Sequence, residues 1–123
     1  MKKKVVTIKT DIKDAINKYL TFTKQLNKLR PKEIDLLSEM TYLFIKEKNN
    51  FKREEDLWKK VFDYDSKIIY KENLNIEDYT LQSLLSSLRK KKVIENNTIR
   101  SVYIPDLSDN EFLLVFKFIL NEE

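Results

Sequence analysis

Tyr79, Gln82, Ser83 and Ser86 recur at helical spacing, and Lys90 extends the same stripe. A phenol, an amide and two hydroxyls on one helix face make hydrogen bonds. None of them is a nucleophile without a base beside it. Gln can pair with the major-groove edge of adenine, and serine hydroxyls take bases or phosphates. Arg89, Lys90, Lys91 and Lys92 follow directly, with Arg100 beyond a turn. Such cations either neutralise phosphates or close a helix in solvent, where they oppose the negative end of its dipole. Glu77 and Asp78 stand at the opposite end of the stripe, where they would repel a phosphate backbone.

The absences narrow the chemistry further. The 123 residues include no His, no Cys and no Gly. The commonest general base and metal ligand is missing, as are thiol nucleophiles, disulfides and Cys-based zinc sites. Phosphate-cradling glycine loops are missing too. Carboxylates and lysines remain, but in no recognisable catalytic motif. The expectation is a protein that is not an enzyme, with no catalytic residues, no metal, no cofactor and no small-molecule substrate. A net charge of +4 permits nucleic-acid contact without demanding it. No apolar run reaches membrane-span length, and Val5, Val6 and Ile8 are too few for a signal-peptide core. No membrane association and no signal-peptide secretion are expected.

The elements that would position these residues follow from periodicity. Leu81, Leu84, Leu85 and Leu88 repeat at i, i+3, i+4 and i+7, which predicts a helix over about 78–92 with the polar stripe outward. Val93-Ile94 and Ile99 to Ile104 flank Glu95-Asn96-Asn97, a β-hairpin pattern. Upstream, Ser66 to Asn73 reads as a helix capped by Asp65. Pro31 suits a first helical position, with Ile34, Leu37, Met40, Leu43 and Phe44 as the stripe of the longest helix. Asp11 caps a helix carrying Ile12, Ala15, Ile16, Tyr19 and Leu20, and a short helix holds Leu57, Trp58, Val61 and Phe62. Trp58 is either a core anchor or a partner-binding residue.

Both ends read as strands, over about 3–10 and 111–120. Phe112, Leu114, Phe116 and Phe118 alternate with Leu113, Val115, Lys117 and Ile119, so both faces of the second strand need cover. The two strands either pair within one molecule or offer an edge to another chain.

Residues 65–105 resemble the winged form of the helix-turn-helix. The resemblance rests on Leu74-Asn75-Ile76-Glu77 as the turn, Thr80 to Leu88 as the second helix, and Leu88-Arg89-Lys90-Lys91-Lys92-Val93-Ile94 as the lead into the wing. The order of elements along the whole chain is similar to that of small proteins of tailed, crAss-like bacteriophages. Together these imply an α+β fold, mainly a helical winged helix-turn-helix with a β-hairpin wing and a small sheet from the N- and C-terminal strands. One domain over 1–123 is expected, with the winged-helix unit at about 31–105.

The resemblance implies a virion structural, assembly or protein-interaction component of a phage, with packaged DNA as a further contact. Its partners would be other phage proteins or itself, through Phe112, Leu114, Phe116, Phe118 and Trp58. It would reside in the virion or the bacterial host cytoplasm. The alternative is a transcriptional regulator that binds double-stranded DNA with the 78–92 helix and the 93–104 wing. That reading uses Tyr79, Gln82, Ser83, Ser86, Arg89, Lys90, Lys92 and Arg100.

Overall fold

A computed structural model describes residues 4–107, 111, 113, 115 and 117–121. Among the described residues six α-helices and one hairpin follow in order: α1 (Ile12–Phe22), α2 (Lys24–Asn27), α3 (Pro31–Glu47), α4 (Glu54–Val61), α5 (Tyr64–Leu74), α6 (Asp78–Lys90), β1 (Ile94–Glu95) and β2 (Thr98–Ile99). The chain is therefore mostly helical with one small antiparallel sheet, an α+β arrangement.

The helix α3 is the hub, packed by α1, α4, α5 and α6. Its residues Leu36 to Thr41 are all buried, so it has no solvent face over that turn and a half. Pro31 occupies its first turn, where the missing N–H costs nothing. Ile16 and Leu20 of α1, Leu57 and Val61 of α4, Tyr70 of α5 and Leu81, Leu85 and Leu88 of α6 join α3 in one apolar cluster. Two carboxylates on α3 are buried within these contacts. Glu39 accepts from Lys13 of α1 and, at 2.6 Å, from Asn73 at the end of α5. Glu33 is held by α6. Glu39 thus ties α1 and α5 to α3 and Glu33 ties α6 to it, because a buried charge without its partner is costly.

Positive φ does the work at the turns of a chain without glycine. Asn75 ends α5 at φ 52°, and Ile76 N–H reaches back to the Lys71 carbonyl at 3.0 Å, closing the helix so that α6 can start at once. Asn96 and Asn97 lie at φ 53° and 54°, the pairing of a two-residue hairpin turn, and Ile94 faces Ile99 across it. At the end of α6, Val93 N–H binds the Leu88 carbonyl and Lys92 N–H the Arg89 carbonyl, each at 3.0 Å. Lys92 is thereby left at φ 61°, where glycine would be unstrained.

Four expectations need correction. The cap of α5 is Asp63, not Asp65: its carboxylate accepts from Ser66 N–H at 2.7 Å, and Asp65 falls in the first turn. The hairpin is shorter than 93–104, because the chain leaves the strand after Ile99 and turns through Ser101–Tyr103. There the Tyr19 hydroxyl of α1 donates to the Val102 carbonyl at 2.8 Å and ties the return to the bundle.

The terminal sheet is absent among the described residues. Residues 4–10, and 111, 113, 115 and 117–121, are in no strand and are exposed. The helical core closes without them, and two lone strands are marginal in water. Phe112, Leu114 and Phe116 lie outside the described residues. Finally, Trp58 is not on the surface. It stacks on Phe44 at 4.2 Å between ring centres and is 8% exposed, so it anchors the core and is not available to a partner.

Candidate nucleic-acid interface

Burial of Leu81, Leu85 and Leu88 against the bundle fixes the rotation of α6 about its axis. The opposite stripe is then forced outward. Tyr79, Gln82, Ser83, Ser86, Arg89 and Lys90 are all exposed, as are Lys92 and Arg100. Tyr79 is 79% exposed, which leaves its ring free for stacking or groove contact. The side chains of Gln82, Ser83 and Ser86 make no hydrogen bond to another described residue, so their donors and acceptors face solvent. All eight residues expected to touch DNA thus share one continuous region, built from the outer face of α6 and the base of the hairpin.

The hairpin register closes the sequence gap between Arg100 and the others. Arg100 N–H donates to the Val93 carbonyl at 3.0 Å, which sets Arg100 beside Lys92 and Val93 where α6 ends. Arg89, Lys90, Lys92 and Arg100 form no ion pair with another described residue. At the other end of α6, Asp78 is paired with Lys71 at 3.4 Å, which softens the repulsion expected from the acidic start of the helix. Glu77 is the N-cap residue but makes no side-chain cap bond.

Lys91, the remaining cation of the run, is different. Its ammonium binds Glu33 at 2.6 Å and the Lys28 carbonyl at 3.1 Å. Glu33 is 1% exposed, and it also accepts from Ser87 Oγ at 2.5 Å and from Arg30 N–H at 2.8 Å. Burial alone would push the Glu33 carboxyl up. The hydrogen bonds from Lys91, Ser87 and Arg30, with the Lys91 charge, outweigh it and hold the carboxyl below the ordinary glutamate range. This node locks the C-terminal half of α6 to the start of α3. In the sequence Glu33 carries only the mark of a first-turn acid, suited to the positive end of a helix. The Glu three positions after the N-cap is a capping pattern and was the one available signal.

A cleft of about 420 Å³ opens beside this node, lined by Arg30, Pro31, Lys32 and Glu33 of the α3 start and Ser83, Leu84 and Ser87 of α6. Among the residues expected at a protein interface, Phe118 is 85% exposed. Among the described residues no cluster of acids could hold a metal ion, and no helix is long and apolar enough to cross a membrane. Comparisons with family models, curated proteins and solved structures find no match to this chain.

Proposed function

We propose that residues 31–105 form a winged helix-turn-helix that binds double-stranded DNA, in a non-enzymatic protein of a tailed bacteriophage. In this reading α3, α5 and α6 are the three helices, α6 lies in the major groove and β1–β2 is the wing. One observation carries it. Four cations at the junction of α6 and the hairpin form no ion pair with another described residue, while the fifth, Lys91, is consumed inside the fold. Uncommitted charge beside an uncharged hydrogen-bonding stripe matches the division of labour at DNA, where phosphate contacts position and base contacts specify. The test is a fluorescence anisotropy titration of mixed-sequence duplex at 50 and 200 mM salt. Each phosphate neutralised adds roughly 0.9 to the log–log salt slope, so four contacts give a slope steeper than about −3. A flat response would sink the proposal.

A second reading, association with phage proteins or with itself in an assembly, draws on a different observation. Leu113, Val115, Phe118, Ile119 and Leu120 are each at least 75% exposed. So much apolar surface on a short segment favours burial in a partner. Phe118→Asp combined with Ile119→Asp is expected to lower the oligomeric state measured by light scattering while leaving the melting temperature unchanged. An unaltered mass would count against that surface.

A further inference from the structure

Arg30 and Lys32 form a second exposed cationic group, on the side of α6 away from Arg89. Both belong to the start of α3, facing Ser83, Leu84 and Ser87 across the cleft of about 420 Å³. Lys91 holds the Lys28 carbonyl at 3.1 Å, so the segment 28–32 is fastened along one edge of α6. That edge is Ser83, Ser87 and Lys91, spaced i, i+4 and i+8 in a line along the helix. Ser83 belongs to this edge and to the exposed stripe, so the cleft opens onto the stripe. Arg89 lies about 200° around the helix from Ser87, on the far flank.

Charge in the cleft has one sign left over. Among the described residues lining it, Glu33 is the sole acid, and Lys91 and Ser87 already satisfy it. Arg30 and Lys32 are exposed and form no ion pair with another described residue. A helix seated in the major groove has a phosphate strand on each side. The uncharged stripe Tyr79, Gln82, Ser83 and Ser86 runs between the two cationic flanks.

Resting on the DNA-binding reading above, we infer that Arg30 and Lys32 bind the phosphates of one strand while Arg89, Lys92 and Arg100 bind those of the other. The α3 start is then part of the interface and not only a support for α6. The occupant is the duplex itself, and the complementarity is between two exposed cations and a polyanion.

The experiment compares salt slopes on one mixed-sequence duplex by anisotropy, with melting curves to verify the fold. Arg30→Gln with Lys32→Gln is expected to make the slope shallower by roughly 2, at about 0.9 per contact. The affinity loss between 50 and 200 mM salt then shrinks by about tenfold. Lys32→Gln alone gives about half that change, and serves if the double variant folds poorly. The conservative pair Arg30→Lys and Lys32→Arg keeps the wild-type slope. Lys46→Gln with Lys48→Gln, at the opposite end of α3, leaves it unchanged. A wild-type slope in the Arg30/Lys32 variants, alongside a reduced slope in Arg89→Gln with Arg100→Gln, overturns the second flank and leaves the DNA reading intact. If no variant changes the slope, the DNA reading falls and this inference with it.

Discussion

On the proposed DNA-binding reading, a chain carrying Arg89→Gln, Lys90→Gln, Lys92→Gln and Arg100→Gln is expected to lose most of its affinity for duplex DNA and nearly all of its dependence on α6-side phosphate contacts. Four contacts at roughly 0.9 each predict a log–log salt slope shallower by about 3.5. The effect is electrostatic and independent of sequence, so specific and mixed duplexes lose affinity together. The fold is expected to survive. All four side chains are exposed and outside any ion pair with described residues, and such surface changes usually stay within about 0.5 kcal/mol each. Glutamine at position 92 is no worse placed at positive φ than lysine, so the end of α6 keeps its geometry. The measurement is anisotropy across a salt series, with circular dichroism melts of the same samples. Unchanged slope in a folded variant would remove the basis for placing DNA on this face.

Glu33→Ala is the largest stability change expected from a single substitution at the interface between α3 and α6. It strips Ser87, Lys91 and the Arg30 N–H of their common acceptor. Breaking a fully buried ion pair costs about 3–5 kcal/mol, and Lys91 can partly rehydrate at 30% exposure, which lowers the cost to about 2–3 kcal/mol. The melting temperature should drop by roughly 8–12 °C.

The pH dependence has a definite sign. The folded carboxyl lies below its ordinary value of 4.5, so its contribution is complete well above that pH. It is lost as the pH falls through the folded value, because protonation removes the charge that Lys91 meets. Between about pH 6 and pH 3 wild type therefore loses more stability than Glu33→Ala does. Glu33→Leu combined with Lys91→Met should recover most of the loss, since an apolar pair removes both desolvation penalties. Equal melting temperatures for wild type and Glu33→Ala at neutral pH would show that the node holds nothing.

What was legible in the chain was local. Leu81, Leu85 and Leu88 set the rotation of α6 from their spacing alone, and with it the outward position of Tyr79, Gln82, Ser83 and Ser86. Asn75 at a left-handed turn, Asp11 as a cap and Pro31 at a helix start each follow from the conformational preference of one residue. The misses share a different cause. Alternation in 111–120 states a capacity to form a strand, not the presence of a neighbour to pair with. Trp58 reads more readily as a core anchor than as a binding residue, and what decides it is the ring of Phe44 against its own, which no local spacing shows.

Asp63 and Asp65 both offer a cap, and only the placement of Ser66, whose hydroxyl donates to the Lys60 carbonyl at 2.7 Å, decides between them. The Glu33–Lys91 pair spans 58 positions, and nothing in either residue's vicinity announces the other. The same distance hides Arg30 and Lys32, which look like ordinary solvent-facing charges until α6 is laid beside them. Two of the features that favoured an assembly role, the terminal sheet and an exposed Trp58, belong to this set of misses. The features that favoured DNA depended on one face of α6 and the short hairpin that follows it.

The long reach of Glu33 bears on how the chain is made. A ribosome releases α1, α2 and α3 well before α6 exists. During that interval the carboxylate has only the Arg30 N–H to satisfy it. An early collapse of the N-terminal half would have to bury it without Ser87 and Lys91, or leave that end of α3 wet. Burial of the Glu33 end of α3 is thus expected to wait until residues 87 and 91 have cleared the exit tunnel. A chain interrupted before that point keeps the Lys13–Glu39 pair between α1 and α3 but has no cation to meet Glu33.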